Sequence, residues 1–202
     1  MLNAIPHCHG SGPARIIIYD IHALAVQHFH SDGIILDLQS CLPLLFKYTQ
    51  TDNVVYAFPD EGAAKRFGET FKEKGLPTVV CSKVRDGDKV TVTLKDSALS
   101  VKSKDVIIID DMLRGGGTLE NCRQVISDCG ARTVGAFVTH CVCPKWTVYK
   151  AKKFFNKFDN FYTTDTCQAG RIFGHLKPKF IGKSFKMLSI SDLIYKDLNQ
   201  GA

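Results

Sequence analysis

The sequence predicts an α/β protein with a mainly parallel sheet flanked by helices and a small antiparallel flap. Short β-rich runs alternate with segments of helical spacing, the arrangement of βαβ units. Several of those runs are apolar at every position, as a strand covered on both faces requires. No internal repeat or low-complexity linker interrupts the alternation.

Taken in order, residues 1–13 read as a flexible lead-in rich in His, Gly and Pro, without the cationic start and apolar stretch of a secretory signal. The cytoplasm is the expected location. Strands are predicted at Ile16 to Tyr19, Val54 to Phe58, Thr78 to Cys81, Val106 to Ile109, Val134 to Thr139, Phe161 to Thr163 and Met187 to Ile190. Val90, Val92 and Leu94 alternate with Thr91, Thr93 and Lys95, which predicts a half-exposed antiparallel flap strand beside a loop at Lys83 to Lys89. Ala64, Phe67 and Phe71 recur at helical spacing. So do Leu119, Cys122, Val125, Ile126 and Cys129, with Gly130 placed to end that helix.

With 202 residues, 45% of them hydrophobic and 23% charged, the composition is that of an ordinary soluble globular protein. One sizeable core fits, or one complete domain with part of another. No apolar run approaches the roughly 20 residues that span a bilayer, so no membrane role is expected. The formal charge of +6 is spread among acids and suits a polyphosphate ligand as well as nucleic acid; nucleic acid is not the expected partner. Most of the eight cysteines lie in apolar patterns and are read as reduced core thiols. His140, Cys141 and Cys143 continue a buried strand and lack a second ligand pair for zinc. His7, Cys8 and His9 lack a fourth ligand at regular spacing.

The segment Val106-Ile-Ile-Ile-Asp-Asp-Met-Leu-Arg-Gly-Gly-Gly-Thr118 carries the strongest chemical signal. Consecutive glycines let backbone N–H groups approach an anion, and a helix starting near Thr118 adds its positive end. Asp110 and Asp111 stand at the carboxyl end of a strand, where open α/β sheets bind ligands, and paired carboxylates suit vicinal sugar hydroxyls. A sugar phosphate satisfies both halves. The plain alternative is a Gly-rich turn whose two Asp residues cap the helix.

This segment resembles the phosphoribosyl diphosphate (PRPP) binding motif of the phosphoribosyltransferase fold. Tyr19-Asp-Ile-His-Ala23, Phe58-Pro-Asp-Glu-Gly-Ala63, Lys83-Val-Arg85 and Thr139-His140 stand in the order seen in ribose-phosphate diphosphokinases, the PRPP synthetases, and the chain resembles the plant-type, phosphate-independent members from about Ala14 onward. The resemblance implies an enzyme that transfers diphosphate from ATP to the 1-hydroxyl of ribose 5-phosphate, giving PRPP and AMP with Mg2+ as cofactor. It implies binding of ribose 5-phosphate by Asp110, Asp111, Arg114, Gly115, Gly116, Gly117 and Thr118, catalytic cations at Lys83 and Arg85, and metal-facing roles for His22 and Asp60. Read by themselves, the plain alternatives are a hydrogen-bonded structural histidine for His22, a helix cap for Asp60 and a solvated basic turn for Lys83 with Arg85.

Two departures accompany the resemblance. Family members carry a preceding nucleotide-contacting domain, of which residues 14–40 resemble only the last part, before a phosphoribosyltransferase-like domain at 41–202. Arg114 and Gly115 also stand where the family loop has an acid or amide followed by a hydroxyl residue. The expected partners are ATP, ribose 5-phosphate or PRPP, and either further copies of the chain or a longer PRPP synthetase subunit. The competing expectations are a non-catalytic regulatory or binding subunit and a base phosphoribosyltransferase.

Overall fold

The computed structural model describes residues 12–29, 33–49, 53–86, 89–94, 100–181 and 184–199, with the backbone alone for 29, 83–86 and 89–92. The lead-in at 1–11, including the His7, Cys8 and His9 cluster, lies outside the described residues.

A seven-stranded sheet organises the chain. Its strands are β3 (Val54–Phe58), β4 (Thr78–Asp86), β5 (Lys89–Leu94), β6 (Asp105–Leu113), β7 (Thr133–Cys141), β8 (Phe161–Thr164) and β9 (Phe185–Leu188), in the spatial order β5-β4-β3-β6-β7-β8-β9. Every pairing is parallel except β4 with β5. Two earlier strands, β1 (Ala14–Tyr19) and β2 (Ile34–Gln39), pair with each other in parallel as a separate two-stranded sheet. A 3-10 helix (Leu24–Phe29) lies between them.

Helices α1 (Leu42–Thr49), α2 (Glu61–Glu73), α3 (Gly117–Asp128), α4 (Val148–Phe155), α5 (Gln168–Gly174), α6 (Pro178–Ile181) and α7 (Ser191–Asn199) complete the fold. All five residues of β3 and all four of β8 are buried, as central parallel strands should be. The pleat sends alternate residues of β6 into two cores. Val106 and Ile108 join the core built with α3, α4 and α5, whereas Ile107 and Ile109 join the core built with α1 and α2. The first is densely aromatic: Phe155 lies 4.6 Å from Phe161 and 4.5 Å from Phe185 between ring centroids. The seven described cysteines are free thiols, five of them buried. Among the described residues, no helix is long and apolar enough to cross a membrane.

Three expectations change. The predicted loop at Lys83 to Lys89 is mostly strand: β4 continues to Asp86 because cross-strand bonds to β5 pair Lys83 with Val92 and Arg85 with Val90. The last strand lies two residues earlier than Met187 to Ile190, since the Asp165 carboxylate takes the Ser189 hydroxyl and the Ile190 N–H and so ends the ladder. The strand β2 was not anticipated, because its partner β1 is some twenty residues away in sequence and only that pairing defines it.

Candidate functional site

Strand order locates the site. The chain runs outward from β3 to β4 and β5, then returns to the other side of β3 to build β6, β7, β8 and β9. The sheet therefore reverses direction between β3 and β6, and the carboxyl ends of strands flanking such a switch point leave a crevice for ligands. A cavity of about 640 Å³ opens there, lined from the β3 side by Asp60, Gly62, Ala63 and Arg66 and from the β6 side by Asp110, Asp111, Met112, Arg114 and Thr118, with His22 at its edge. A smaller cavity of about 270 Å³ adjoins it over Gly115, Gly116 and Gly117.

The two carboxylates at the end of β6 have different surroundings. Asp111 is buried and fully engaged: Arg66 Nη1 is 2.7 Å from its Oδ1 and His22 Nδ1 is 2.7 Å from its Oδ2. Arg66 also donates through Nη2 to the His22 backbone carbonyl, so it fixes both partners at once. Asp110 accepts the Asp111 N–H at 2.9 Å and otherwise faces the cavity. Burial, then the neighbouring Asp111, and more weakly Asp60, push the Asp110 carboxyl up from an ordinary 3.8 to about 7. A carboxylate so crowded by like charge is poised to accept hydrogen bonds from a ligand's hydroxyls or to face a cation.

The glycines divide the work of the loop. Gly116 has φ +89 and caps α3, and a Cβ there would meet Phe154 Cε2 at 2.5 Å, so both conformation and space demand glycine. A Cβ on Gly115 or Gly117 meets nothing within 4 Å. No side chain caps α3, so its amino end is presented by backbone alone, the form in which helix starts hold anions. Arg114 is exposed and borders both cavities.

His22 and Asp60 reach the same cavity by different routes. The residues before His22 are pinned by buried contacts: Asp20, at φ +46, accepts the Cys41 N–H at 3.0 Å and the Thr139 hydroxyl, and His140 Nε2 is 3.0 Å from the Tyr19 carbonyl oxygen. Asp60 caps α2, its Oδ1 accepting the Ala63 N–H at 3.1 Å, while its side chain also borders the cavity. Among the described residues, no group of three or more His, Cys, Asp or Glu is arranged to hold a metal ion. Lys83 and Arg85 belong to the β4–β5 ribbon, which leaves the sheet edge beyond the β3 pairing of Thr78, Val79 and Val80; their side chains lie outside the described residues.

Arg66, unnamed by sequence reasoning, is central to this geometry. It stands three residues after Ala63, so one helical face carries both into the cavity, and that spacing from the Asp60 cap was the available signal. Asp20 was likewise part of a quoted motif without a role, because its partners Cys41 and Thr139 are distant in sequence.

A parallel sheet with this switch point, ending β6 in two carboxylates and a glycine-capped helix start, defines a class of α/β protein that opens its ligand cavity at the carboxyl ends of the strands. The family described as "Phosphoribosyl transferase domain" matches residues 43–177, and the chain belongs to that family. Within it the chain is similar to plant ribose-phosphate pyrophosphokinases. It is 38% identical to ribose-phosphate pyrophosphokinase 4 of Arabidopsis thaliana, covering 96% of this chain and 57% of that one. It is also 38% identical to the protein of that name from Oryza sativa subsp. japonica, over 83% of this chain and 53% of the other. The crystal structure of phosphoribosylpyrophosphate synthetase from Mycobacterium smegmatis shares the fold at a TM-score of 0.69 and 21% identity, covering 93% of this chain and 58% of that chain. The chain thus spans somewhat more than half the length of these relatives.

Proposed function

We propose that the chain forms the ribose-phosphate side of a ribose-phosphate diphosphokinase, which transfers diphosphate from ATP to the 1-hydroxyl of ribose 5-phosphate and releases AMP. The observation that carries this reading is the meeting of Asp110, raised to about 7, with the start of α3, which no side chain caps, at the rim of one cavity. One ligand satisfies both when it carries hydroxyls at one end and a phosphate at the other.

In this reading Asp110 accepts hydrogen bonds from the ribose hydroxyls, and the backbone from Gly115 to Thr118 takes the 5-phosphate. Arg114, bordering both cavities, supplies the phosphate contact that a hydroxyl would otherwise make. Asp111 acts as a fixed wall, since Arg66 and His22 already occupy its oxygens. Lys83 and Arg85 on the flap stabilise the charge of the transferring group, a role that positioned cations fill in phosphoryl transfer.

The donor chemistry fits magnesium, which prefers oxygen ligands and keeps several waters. Asp60 and Asp110 face one cavity and Asp60 raises Asp110, a repulsion that a divalent cation relieves. Those two carboxylates would hold the ion, with His22 nearby through water; the ion, when bound, neutralises phosphate charge. Residues 14–40 belong, in this proposal, to the nucleotide side and 41–202 to the ribose-phosphate side. In this proposal the chain associates with further copies of itself or with a longer PRPP synthetase subunit, in the cytoplasm.

One observation favours the regulatory reading beside it. His22 directs Nδ1 at Asp111, leaving it bound within the chain rather than presented with Asp60 as a metal pair. Two measurements decide. Calorimetric titration with ribose 5-phosphate should show binding that Asp110→Asn weakens about tenfold or more, the loss of one or two hydrogen bonds to a charged group; equal affinity in the variant sinks the site. AMP release from ATP, ribose 5-phosphate and magnesium, abolished in Lys83→Ala, identifies the enzyme, and sugar-phosphate binding without AMP release even alongside a longer relative identifies the regulatory subunit.

A further inference from the structure

The loop from β7 to α4 and helix α5 form an open cleft of about 510 Å³, away from the two cavities above. Its walls are Val142, Pro144, Trp146, Ile172 and Phe173, with the Cys143 and Cys167 thiols between them. Among the described residues lining it, Lys145 carries the single charge and no carboxylate is present. The volume falls within the range of about 300–1,000 Å³ usual for small-ligand sites.

The loop is held in shape rather than slack. The Val142 and Cys143 N–H groups both donate to the Leu113 carbonyl at 3.0 Å. Cys143 and Lys145 have φ +38 and +63, a left-handed conformation that L side chains adopt only where the surroundings impose it. Strained non-glycine backbone around an apolar cavity at the carboxyl end of a parallel strand is the setting in which ligand sites occur.

Wall chemistry selects the ligand. Aromatic and aliphatic surfaces take a ring, and one cation at the rim takes one acid group. A second charge on the ligand would find no charged partner among the lining residues. The far side of the wall reaches the glycine loop: Trp146 packs edge-on against Phe154 at 5.0 Å between centroids, and Phe154 fills the space where a Cβ on Gly116 would fall.

We propose that this cavity is a second ligand site, taking a small aromatic monoanion, and that its occupancy is transmitted to the glycine loop through Trp146 and Phe154. The site itself does not depend on the sugar-phosphate reading, although the meaning of its transmission does.

Trp146 is the only tryptophan in the chain, so its fluorescence reports the wall directly. The full chain is titrated with 1-anilinonaphthalene-8-sulfonate, an aromatic monosulfonate. Saturable quenching of Trp146 is expected, weakened about tenfold or more by Ile172→Asp, which sets a carboxylate in the wall, and severalfold by Lys145→Gln. Leu198→Asp removes a remote exposed apolar side chain and should leave the affinity unchanged. Quenching that never saturates, or an equal loss in Leu198→Asp, means that the dye coats apolar surface and overturns the site. Hydrogen exchange at the amides of residues 115–119 reads the transmission without ribose 5-phosphate, so its failure is distinct from failure of the proposed function. A severalfold change in exchange on saturation is expected, and unchanged exchange overturns the transmission.

Discussion

Gly116 and Gly115 are neighbours in one loop, yet they answer to different constraints. Gly116 combines φ +89 with a Cβ position 2.5 Å from Phe154, so Gly116→Ala should cost roughly 2–4 kcal/mol from strained backbone and overpacking together. Gly115→Ala meets open space and should change urea-unfolding stability by less than about 1 kcal/mol. Similar losses in the two variants would refute this division. The sequence showed three equivalent glycines; φ and the approach of Phe154, 38 residues further along the chain, are what distinguish them.

Asp110 makes a pH prediction at the same scale. Its folded pKa, about 7, lies above its ordinary 3.8, so the native state binds the proton more tightly than the unfolded chain does. The stability it contributes is fully present below about pH 4 and is lost as pH rises toward 7. Asp110→Asn removes that loss. In the ligand-free chain its melting temperature should exceed that of the unchanged protein at pH 8 by several degrees, at about 2–4 °C per kcal/mol, with the gain shrinking toward pH 5. A gain that grows as pH falls would mean that burial does not raise this carboxyl.

Among the elements, α2 is the one whose importance the sequence understated. Its apolar spacing at Ala64, Phe67 and Phe71 was legible from the 3.6 period; Phe67 and Phe71 are buried with Ala63, and Ala64 packs partly buried against the same core. The role of Arg66 was not, because a cation on a helix is usually solvated and only the arrival of β6 gives this one a buried carboxylate. Arg66→Ala should destabilise the chain by about 3–5 kcal/mol, chiefly by taking the guanidinium away from the buried Asp111 carboxyl and leaving His22 as its remaining side-chain partner. Arg66→Ala combined with Asp111→Ala should cost clearly less than the two single changes added together, as a double-mutant cycle by chemical denaturation would show. Additive losses would remove the pair from the account. The flap was legible as alternating residues, but its length was not, since Lys83 to Asp86 become strand only through pairing with β5.

At the scale of the whole molecule, the first strand and the last helix meet. Tyr19 donates its hydroxyl to Asp197 Oδ2 at 2.6 Å, and Arg15 donates to the Asp197 carbonyl at 3.0 Å, tying β1 to α7 across nearly the full length of the sequence. Asp197 is the buried residue of α7, while Ile194, Tyr195 and Leu198 are exposed. The helix is thus held by this polar contact together with Leu193, which packs against the core built with α1 and α2. A two-stranded parallel sheet is marginal without such support. Asp197→Ala should therefore raise hydrogen exchange in β1 and β2 while β3, β6 and β7 keep their protection. Loss of protection across both sheets would show instead that the molecule unfolds as one unit.

By itself the sequence determined the fold class, the seven-stranded sheet's main strands and the position of the Asp110 to Thr118 loop, because period, β-branched runs and glycine clusters act over a few neighbouring residues. Only the tertiary structure decided that β1 pairs with β2, that Asp20 is pinned by Cys41 and Thr139, and that Asp111 is tied by Arg66 and His22 while Asp110 faces the cavity. Those outcomes depend on which groups meet in a low-dielectric interior, where an unpaired charge is costly, and no local pattern records who the partner will be.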